Sequence, residues 1–335
     1  MRKKSKVNIR SIAVIAGVAP STVSRVLNNR GGISESCRAK IVKIAEECGY
    51  KQCSSTRTIA LALPISTFPL DWYSVNVINA FRLECFKRNY KLEIVSADEL
   101  DIISDSVVCG VVSFDFVGKV GYQWGRERKL PMVCMNSVSR HLDRVYSVYS
   151  NDFHGISQAV NHLVGYGHKR IGLLLIGNPE EHAAKLRTNA FLSINKELRL
   201  EEYACVAYAY FHDGPNGFVD GLHGAVNELL KEKVTAMIIS GENYALQALH
   251  VLRDLNISVP KQMSLISWEM LKISEFASPP LTTIEQNFSE LARQSINVLE
   301  RLISGEKISK DTLVDYLFHY RNSVSIPFES NTISL

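Results

Sequence analysis

The chain has 335 residues, with 38 Lys+Arg against 34 Asp+Glu and a net charge of +4. Hydrophobic residues make up 46%, enough to bury two or three cores, and no run of about 18 apolar residues offers a membrane span. Residues 1–57 hold 12 basic and 3 acidic residues, so a head of +9 precedes a remainder of −5, the footprint of a nucleic-acid contact confined to the N-terminus.

Asn8 is placed to cap a first helix, whose apolar positions Ile9, Ile12, Ala13 and Ala16 recur at helical spacing. Gly17 suits the sharp exit, since it tolerates positive φ. A second helix starts at Pro20, where the missing N–H costs nothing. Val23, Val26 and Leu27 form its apolar stripe, and Ser21, Thr22, Ser24, Arg25 and Asn28 fill its other faces. Two short helices joined by a tight turn are the helix-turn-helix plan. Hydroxyls, an amide and one Arg suit a DNA groove. A third helix is capped by Ser34, carries Ile41, Ile44 and Ala45 on its core face and ends at Gly49. Lys3, Lys4, Lys6 and Arg10 are expected near phosphates, where each adds affinity and salt dependence. The stretch 51–57 is polar and aperiodic, a linker.

From Thr58 short apolar runs alternate with amphipathic helices. Strands are expected at 58–64, 92–95, 107–114, 132–135, 171–176, 205–208, 236–240 and 264–268. Helices are expected at 75–87, 119–128, 152–166, 185–196, 217–230 and 244–255. Val75, Ile78, Phe81, Arg82 and Phe86 mark one side of the first of these. The alternation predicts parallel α/β layers in two lobes.

The seven cysteines form no C-x-x-C pair and read as core thiols of a reducing cytoplasm, Cys109 and Cys134 among them. No secretory core follows the basic start. There is no G-x-S-x-G elbow, P-loop or H-E-x-x-H, and the nine His show no metal-ligand spacing. Gly165-Tyr166-Gly167 precedes a strand, whereas a dinucleotide fingerprint follows one. His182 and His212 read as loop residues. An enzyme, a metal site and a cofactor are therefore not expected.

The segment 16–50 resembles the headpiece of the LacI/GalR family of bacterial transcription regulators. The likeness lies in Ala16-Gly17-Val18, Ser21 to Asn28, Ile33-Ser34, Arg38 and Gly49-Tyr50. It extends to the family's body, itself similar to periplasmic sugar-binding proteins, through 161–172 (NHLVGYGHKRIG), Ile257-Ser258-Val259-Pro260, 279–284 (PPLTTI) and Tyr320-Arg321-Asn322-Ser323. The resemblance implies a helix-turn-helix headpiece at 1–50, a short hinge at 51–57 and an effector-binding and dimerisation body at 58–335. The body would be an N-lobe of about 58–152 and 285–316 and a C-lobe of about 153–284 and 317–335. The chain would cross between them near Asp152, Ile284 and Tyr316.

The same resemblance puts base contacts at Pro20, Ser21 and Arg25, with Thr22, Ser24 and Asn28 toward the backbone, beside the phosphate contacts expected of Lys6 and Arg10. Ala19 replaces the usual hydroxyl cap of the recognition helix, a loss of about 1 kcal/mol. The joint lacks the Pro-Asn and the Leu wedge of most relatives, as in galactose-regulator-like members, which predicts weaker operator bending. In the cleft it implies Arg187 and the pair Trp268-Glu269 as effector contacts, with Glu242, Ser66, Phe68 and Trp72 as further lining. Asn136 and Asn151-Asp152 are additional polar candidates. The expected protein is a cytoplasmic homodimer that binds duplex operator DNA and a small-molecule effector, a sugar by default. The alternatives are control by a protein partner or a phosphorylated sugar, or a cleft without a ligand.

Overall fold

The computed structural model describes residues 9–27, 32–48, 57–63, 72–97, 108–114, 130–137, 145–210, 217–269 and 272–328. Contacts divide the chain into a head unit ending at Arg57 and a body beginning at Thr58.

The head holds α1 (Ile9–Ala16), α2 (Pro20–Leu27) and α3 (Glu35–Glu47). Ile12, Ala13, Ala16, Val23, Val26, Ile41 and Ala45 form its core, with Ile9, Leu27 and Ile44 packed against it. Gly17 takes φ +69°, and Val18 N–H returns to the Ala13 carbonyl at 3.1 Å, which closes α1. The chain then turns through 108° into α2, within the range of helix-turn-helix pairs. Ala19 offers no side-chain cap, but its carbonyl accepts Thr22 N–H at 2.9 Å and Val23 N–H at 3.2 Å.

The body contains two six-stranded sheets. The first runs β2 (Lys91–Ser96), β1 (Thr58–Leu63), β3 (Val108–Phe114), β4 (Met132–Met135), β5 (Val145–Ser150), β11 (Asp311–Val314). The second runs β7 (Cys205–Ala209), β6 (Ile171–Ile176), β8 (Ala236–Ile239), β9 (Ser264–Glu269), β10 (Thr282–Glu285), β12 (Leu317–His319). β12 is antiparallel to β10, while β6 to β10 pair in parallel. β1 and β8 are buried along their whole length, as strands covered on both faces must be, and read as unbroken apolar runs.

Helices α5 (Asp152–Gly165) and α6 (His182–Glu197) share a core with the second sheet through Ile156, Leu163, Phe191, Leu173 and Ile266. Helices α7 (Gly217–Lys231) and α8 (Glu242–Asp254) cover its other face through Leu222, Val226, Leu252 and Leu265. Helices α4 (Trp72–Lys87) and α9 (Phe288–Ile303) pack together, and α9 covers the first sheet. The chain passes between the sheets three times: at 151, at 286–287 and at 315–316.

Several expectations need correction. The buried face of α4 is Ser74, Val77, Phe81, Glu84 and Cys85, not the side marked by Phe86, which is 79% exposed. Burial of Glu84 explains the rotation: Arg88 donates to its carboxylate at 2.7 Å and also to Asn297 and Glu300, so a charged residue occupies a core-facing position. The strands β5, β10, β11 and β12 and the helix α9 have no counterpart in the predicted elements. Asn287 and Glu290 give the signal for α9, since Asn287 Oδ1 caps Glu290 N–H at 3.0 Å. β5 conceals itself because Ser147 and Ser150 face the core. Cys134 and Cys85 are buried, but Cys37, Cys48, Cys109 and Cys205 are half-buried, and none of these six is in a disulfide. The helix expected at 119–128 and the linker 51–56 lie outside the described residues.

Candidate functional site: a DNA-facing helix and an inter-sheet cleft

In α2 the apolar stripe Val23, Val26 and Leu27 turns inward, so Ser21, Ser24 and Arg25 share the opposite face. Pro20, Ser21 and Arg25 are exposed; Thr22 and Ser24 are half-buried. Arg10 is exposed on α1. Lys6 and Asn28 lie outside the described residues. The face therefore offers one guanidinium and short hydroxyls on a rigid helix, the chemistry needed at base edges and phosphates.

In the body, a cavity of about 430 Å³ opens where β6, β8 and β9 end. Ile176 ends β6 and Gly177 follows it, Ser240 and Gly241 follow β8, and Trp268 is the penultimate residue of β9. Tyr73 of α4 and Gln286 with Phe288 close it from the side of the first sheet. β6 lies between β7 and β8, so chain order reverses there, the switch point at which open α/β sheets bind ligands. Gly177 and Gly241 take φ of +98° and +102°, letting the backbone turn sharply at the cavity floor.

Arg187 and Trp268 both line this cavity, and the guanidinium lies 5.2 Å from the indole ring centre. Arg187 Nε donates to Asp152 Oδ1 at 3.3 Å. Burial alone would lower the Arg187 pKa; Asp152, and then Tyr316, reverse this, and the net shift is upward. Trp268 is 5% exposed, and its indole N–H has no hydrogen-bond partner among the described residues.

From Asp152 a chain of hydrogen bonds visits every crossing between the sheets. Tyr316 Oη, in the third crossing, donates to Asp152 Oδ1 at 2.7 Å. Gln286 Nε2, in the second, donates to Tyr316 Oη at 3.2 Å. Tyr73 Oη donates to Gln286 Oε1 at 2.6 Å, and Asn136 contacts both Tyr73 and Gln286. Asn136 Oδ1 in turn accepts Ser150 N–H at 3.0 Å. Burial, and then the Asp152 charge, raise the Tyr316 pKa, so the phenol stays protonated and able to donate. Gly155 makes room for this tyrosine, since a Cβ there would stand 2.8 Å from the Tyr316 ring.

Other expected residues fall elsewhere. Glu242 is fully buried at the start of α8, where its carboxylate accepts Ser274 N–H at 2.6 Å; it braces the 3-10 turn Ile273–Phe276 and does not line the cavity. Trp72 is 61% exposed, and the cavity wall is its neighbour Tyr73. His182 opens α6 instead of lying in a loop. Ser66, Phe68, His212 and the Glu269 side chain lie outside the described residues. Sequence reasoning missed Tyr73, Glu181, Tyr244, Gln286, Phe288 and Tyr316. Tyr73, Glu181, Tyr244 and Phe288 stand at helix starts, whereas Gln286 and Tyr316 lie in the crossings and carry no local signal. A larger groove of about 620 Å³, walled by Leu246, Leu249, Arg253 and Val259, lies along α8 and contains none of these residues.

Residues 8–52 match the sequence profile of the bacterial regulatory proteins of the lacI family, and residues 160–324 match the periplasmic binding protein-like domain. The head thus carries the lacI-family signature, on a periplasmic binding protein-like body. It is 27% identical over 319 residues to the HTH-type transcriptional repressor PurR of Actinobacillus pleuropneumoniae serotype 3, covering 89% of this chain and 92% of that one. The PurR repressor of Haemophilus influenzae is 25% identical over 317 residues, 87% of this chain and 89% of that one. Among solved structures, the lac repressor dimer bound to operator and the anti-inducer ONPF superimposes with a TM-score of 0.64 at 19% identity, over 96% of this chain and 100% of that one. A complex of the regulator CelR with cellobiose gives 0.63 at 21% identity, over 95% and 99%. Over nearly nine-tenths of its length the chain is thus similar to HTH-type transcriptional repressors. Among the described residues no single helix is long and apolar enough to cross a membrane, and no group of three His, Cys, Asp or Glu is placed to hold a metal ion.

Proposed function

We propose that this chain is a LacI-family DNA-binding repressor, a cytoplasmic homodimer that controls a carbohydrate-utilisation operon and releases its operator when a sugar occupies the cavity at the ends of β6, β8 and β9. Two heads related by a two-fold axis would read a pseudo-palindrome, one per half-site. Ser21 and Arg25 contact base edges, with Pro20 in apolar contact. Arg10, Lys6, Thr22, Ser24 and Asn28 contact the backbone. The observation that carries the ligand half of this reading is the wall of the cavity itself. Tyr73, Tyr244, Trp268 and Phe288 supply aromatic surface, Arg187 a fixed fork of donors and Ser240 a hydroxyl. Aromatic faces with a few polar groups suit the alternating apolar and hydroxyl surfaces of a sugar ring. The unpaired Trp268 indole N–H supports it further, since an unmet buried donor costs about 1–3 kcal/mol that a ligand oxygen can offset.

Coupling to the heads runs through the crossings. A ligand that takes donors from Arg187 alters the Arg187–Asp152 contact, and Asp152 holds Tyr316, which holds Gln286. The lobes then rotate about all three crossings together. A flat heterocyclic base is a second reading, favoured by the four aromatic rings. The test is a thermal-shift panel of sugars and nucleobases on the full chain, followed by selection of bound fragments from random DNA with and without each hit. A ligand at about 100 times its Kd should stabilise the fold by about 2.7 kcal/mol and release the selected DNA. A hit that stabilises the protein but leaves operator affinity unchanged overturns the regulatory part.

A further inference from the structure

Glu181 is the cavity residue whose charge is left over. It lies at the N-terminal boundary of α6 in extended conformation, and its side chain makes no capping hydrogen bond. It lines the same cavity as Arg187 and Trp268. Its two carboxylate oxygens lie beside Gly177, 3.5 Å from where a Cβ would stand, and the turn after β6 favours glycine through its φ of +98°. The nearby cation Lys185 is bonded to Glu180 at 2.6 Å. Arg187 is bonded to Asp152. Among the described residues no ion pair engages Glu181.

The balance of charge in the cavity follows. Arg187 brings +1, and Asp152 beside it cancels that charge; Glu181 leaves the wall with an uncompensated negative group. A carboxylate accepts hydrogen bonds and donates none. It therefore rewards a ligand that presents donors, most of all a protonated amine, and opposes one that brings a phosphate or a carboxylate. An anionic ligand that reached the terminal nitrogens of Arg187 would find their charge already offset by Asp152 and would share the cavity with the like charge of Glu181. A solvated acid at a helix start also satisfies the helix dipole, but that role is blind to what the cavity holds, so the two are separable by ligand selectivity.

We infer that Glu181 is a specificity residue that makes the cavity select a hydroxylated ring bearing an amino group over the neutral ring and over its phosphorylated form. This rests on the sugar reading above. The test is calorimetric titration of the full-length protein with matched sets: glucose, glucosamine and glucose 6-phosphate, and the corresponding galactose set. In at least one set the amino sugar should bind about fivefold tighter than the neutral sugar at low salt. The 6-phosphate should bind weakest. Glu181→Gln should bring the amino and neutral sugars level, with the melting temperature unchanged. As a readout that needs no variant, the amino preference should shrink as salt rises from about 50 mM to about 500 mM. If the phosphate binds tightest, or if the preference is untouched by Glu181→Gln, the inference is overturned while the sugar reading stands. If no member of either set binds, both are overturned for these sugars.

Discussion

Removing one oxygen at Tyr316 tests whether the three crossings act as a unit. The Tyr316→Phe substitution keeps the buried ring but deletes a donor 2.7 Å from Asp152 and an acceptor 3.2 Å from Gln286. A hydrogen bond to a charged partner contributes about 1.5–3 kcal/mol. Asp152 is 17% exposed and keeps Arg187, so water and the guanidinium recover part of this. The expected loss is about 1–2 kcal/mol. For a body of this size each kcal/mol lowers the melting temperature by about 2–4 °C, giving a fall of about 2–8 °C by calorimetry. Packing around the ring is unchanged, so the loss is polar in origin and should be clearly smaller in an Asp152→Asn background, where the acceptor is no longer charged. A Tyr316→Phe protein that melts within about 1 °C of the parent would refute the reasoning. So would a loss of the same size in both backgrounds, which would mean that the hydroxyl and Asp152 act independently.

Three further outcomes are expected. Arg25→Ala should weaken binding to a selected operator by about 10–100-fold, the range for one base-edge contact, while non-specific affinity falls much less; equal losses by fluorescence anisotropy would make Arg25 a phosphate contact. Arg187→Ala should leave operator binding intact and abolish release by ligand; loss of DNA binding would mark the residue as structural. Acidification should destabilise the body: burial lowers the His168 pKa, against the pull of the Ser325 carbonyl, and burial lowers that of His162. A histidine depressed in the folded state contributes its full stability above the unfolded value of about 6.5 and loses it as pH falls through that range, because the unfolded chain protonates first. The melting temperature should drop between about pH 7.5 and pH 5.5, less steeply in His168→Gln; identical slopes would remove His168 from the account.

What the sequence disclosed depended on whether a residue's burial followed from its own chemistry. β1, β6 and β8 are legible because Ile, Leu, Val and Ala enter a parallel sheet covered on both faces. The head is legible because its small core uses apolar residues at helical spacing. The α4 face was misread because Glu84 is buried by virtue of Arg88, and Arg88 by virtue of Asn297 and Glu300, more than 200 positions away. β5 hid behind two core-facing serines. At the site, Arg187 and Trp268 were legible through the family resemblance, and both line the cavity. Glu242 misled because the resemblance put a cleft residue at its position, whereas here its carboxylate accepts the backbone N–H of Ser274. Tyr73 was one position from the expected Trp72. Tyr316 and Gln286 carry no local signal, since their importance comes from where two distant crossings meet.

That meeting point bears on how regulation can be carried. A ligand shifts an equilibrium only by the difference between its affinities for the two lobe arrangements, and a tenfold change in operator binding needs about 1.4 kcal/mol of difference. In the reading proposed here, contacts to the ligand ring alone supply affinity without direction, because aromatic stacking on Trp268 or Phe288 is insensitive to the crossings. Arg187 is different: it touches the cavity on one side and Asp152 on the other, and Asp152 holds the third crossing. The energy at stake in that contact, on the order of the hydrogen bond to Tyr316, is about what the coupling requires. Operator release measured with and without ligand should therefore lose most of its ratio in Tyr316→Phe, while ligand affinity, read by calorimetry, changes about threefold or less. An unchanged ratio would move the coupling out of the crossings and into the packing between helices.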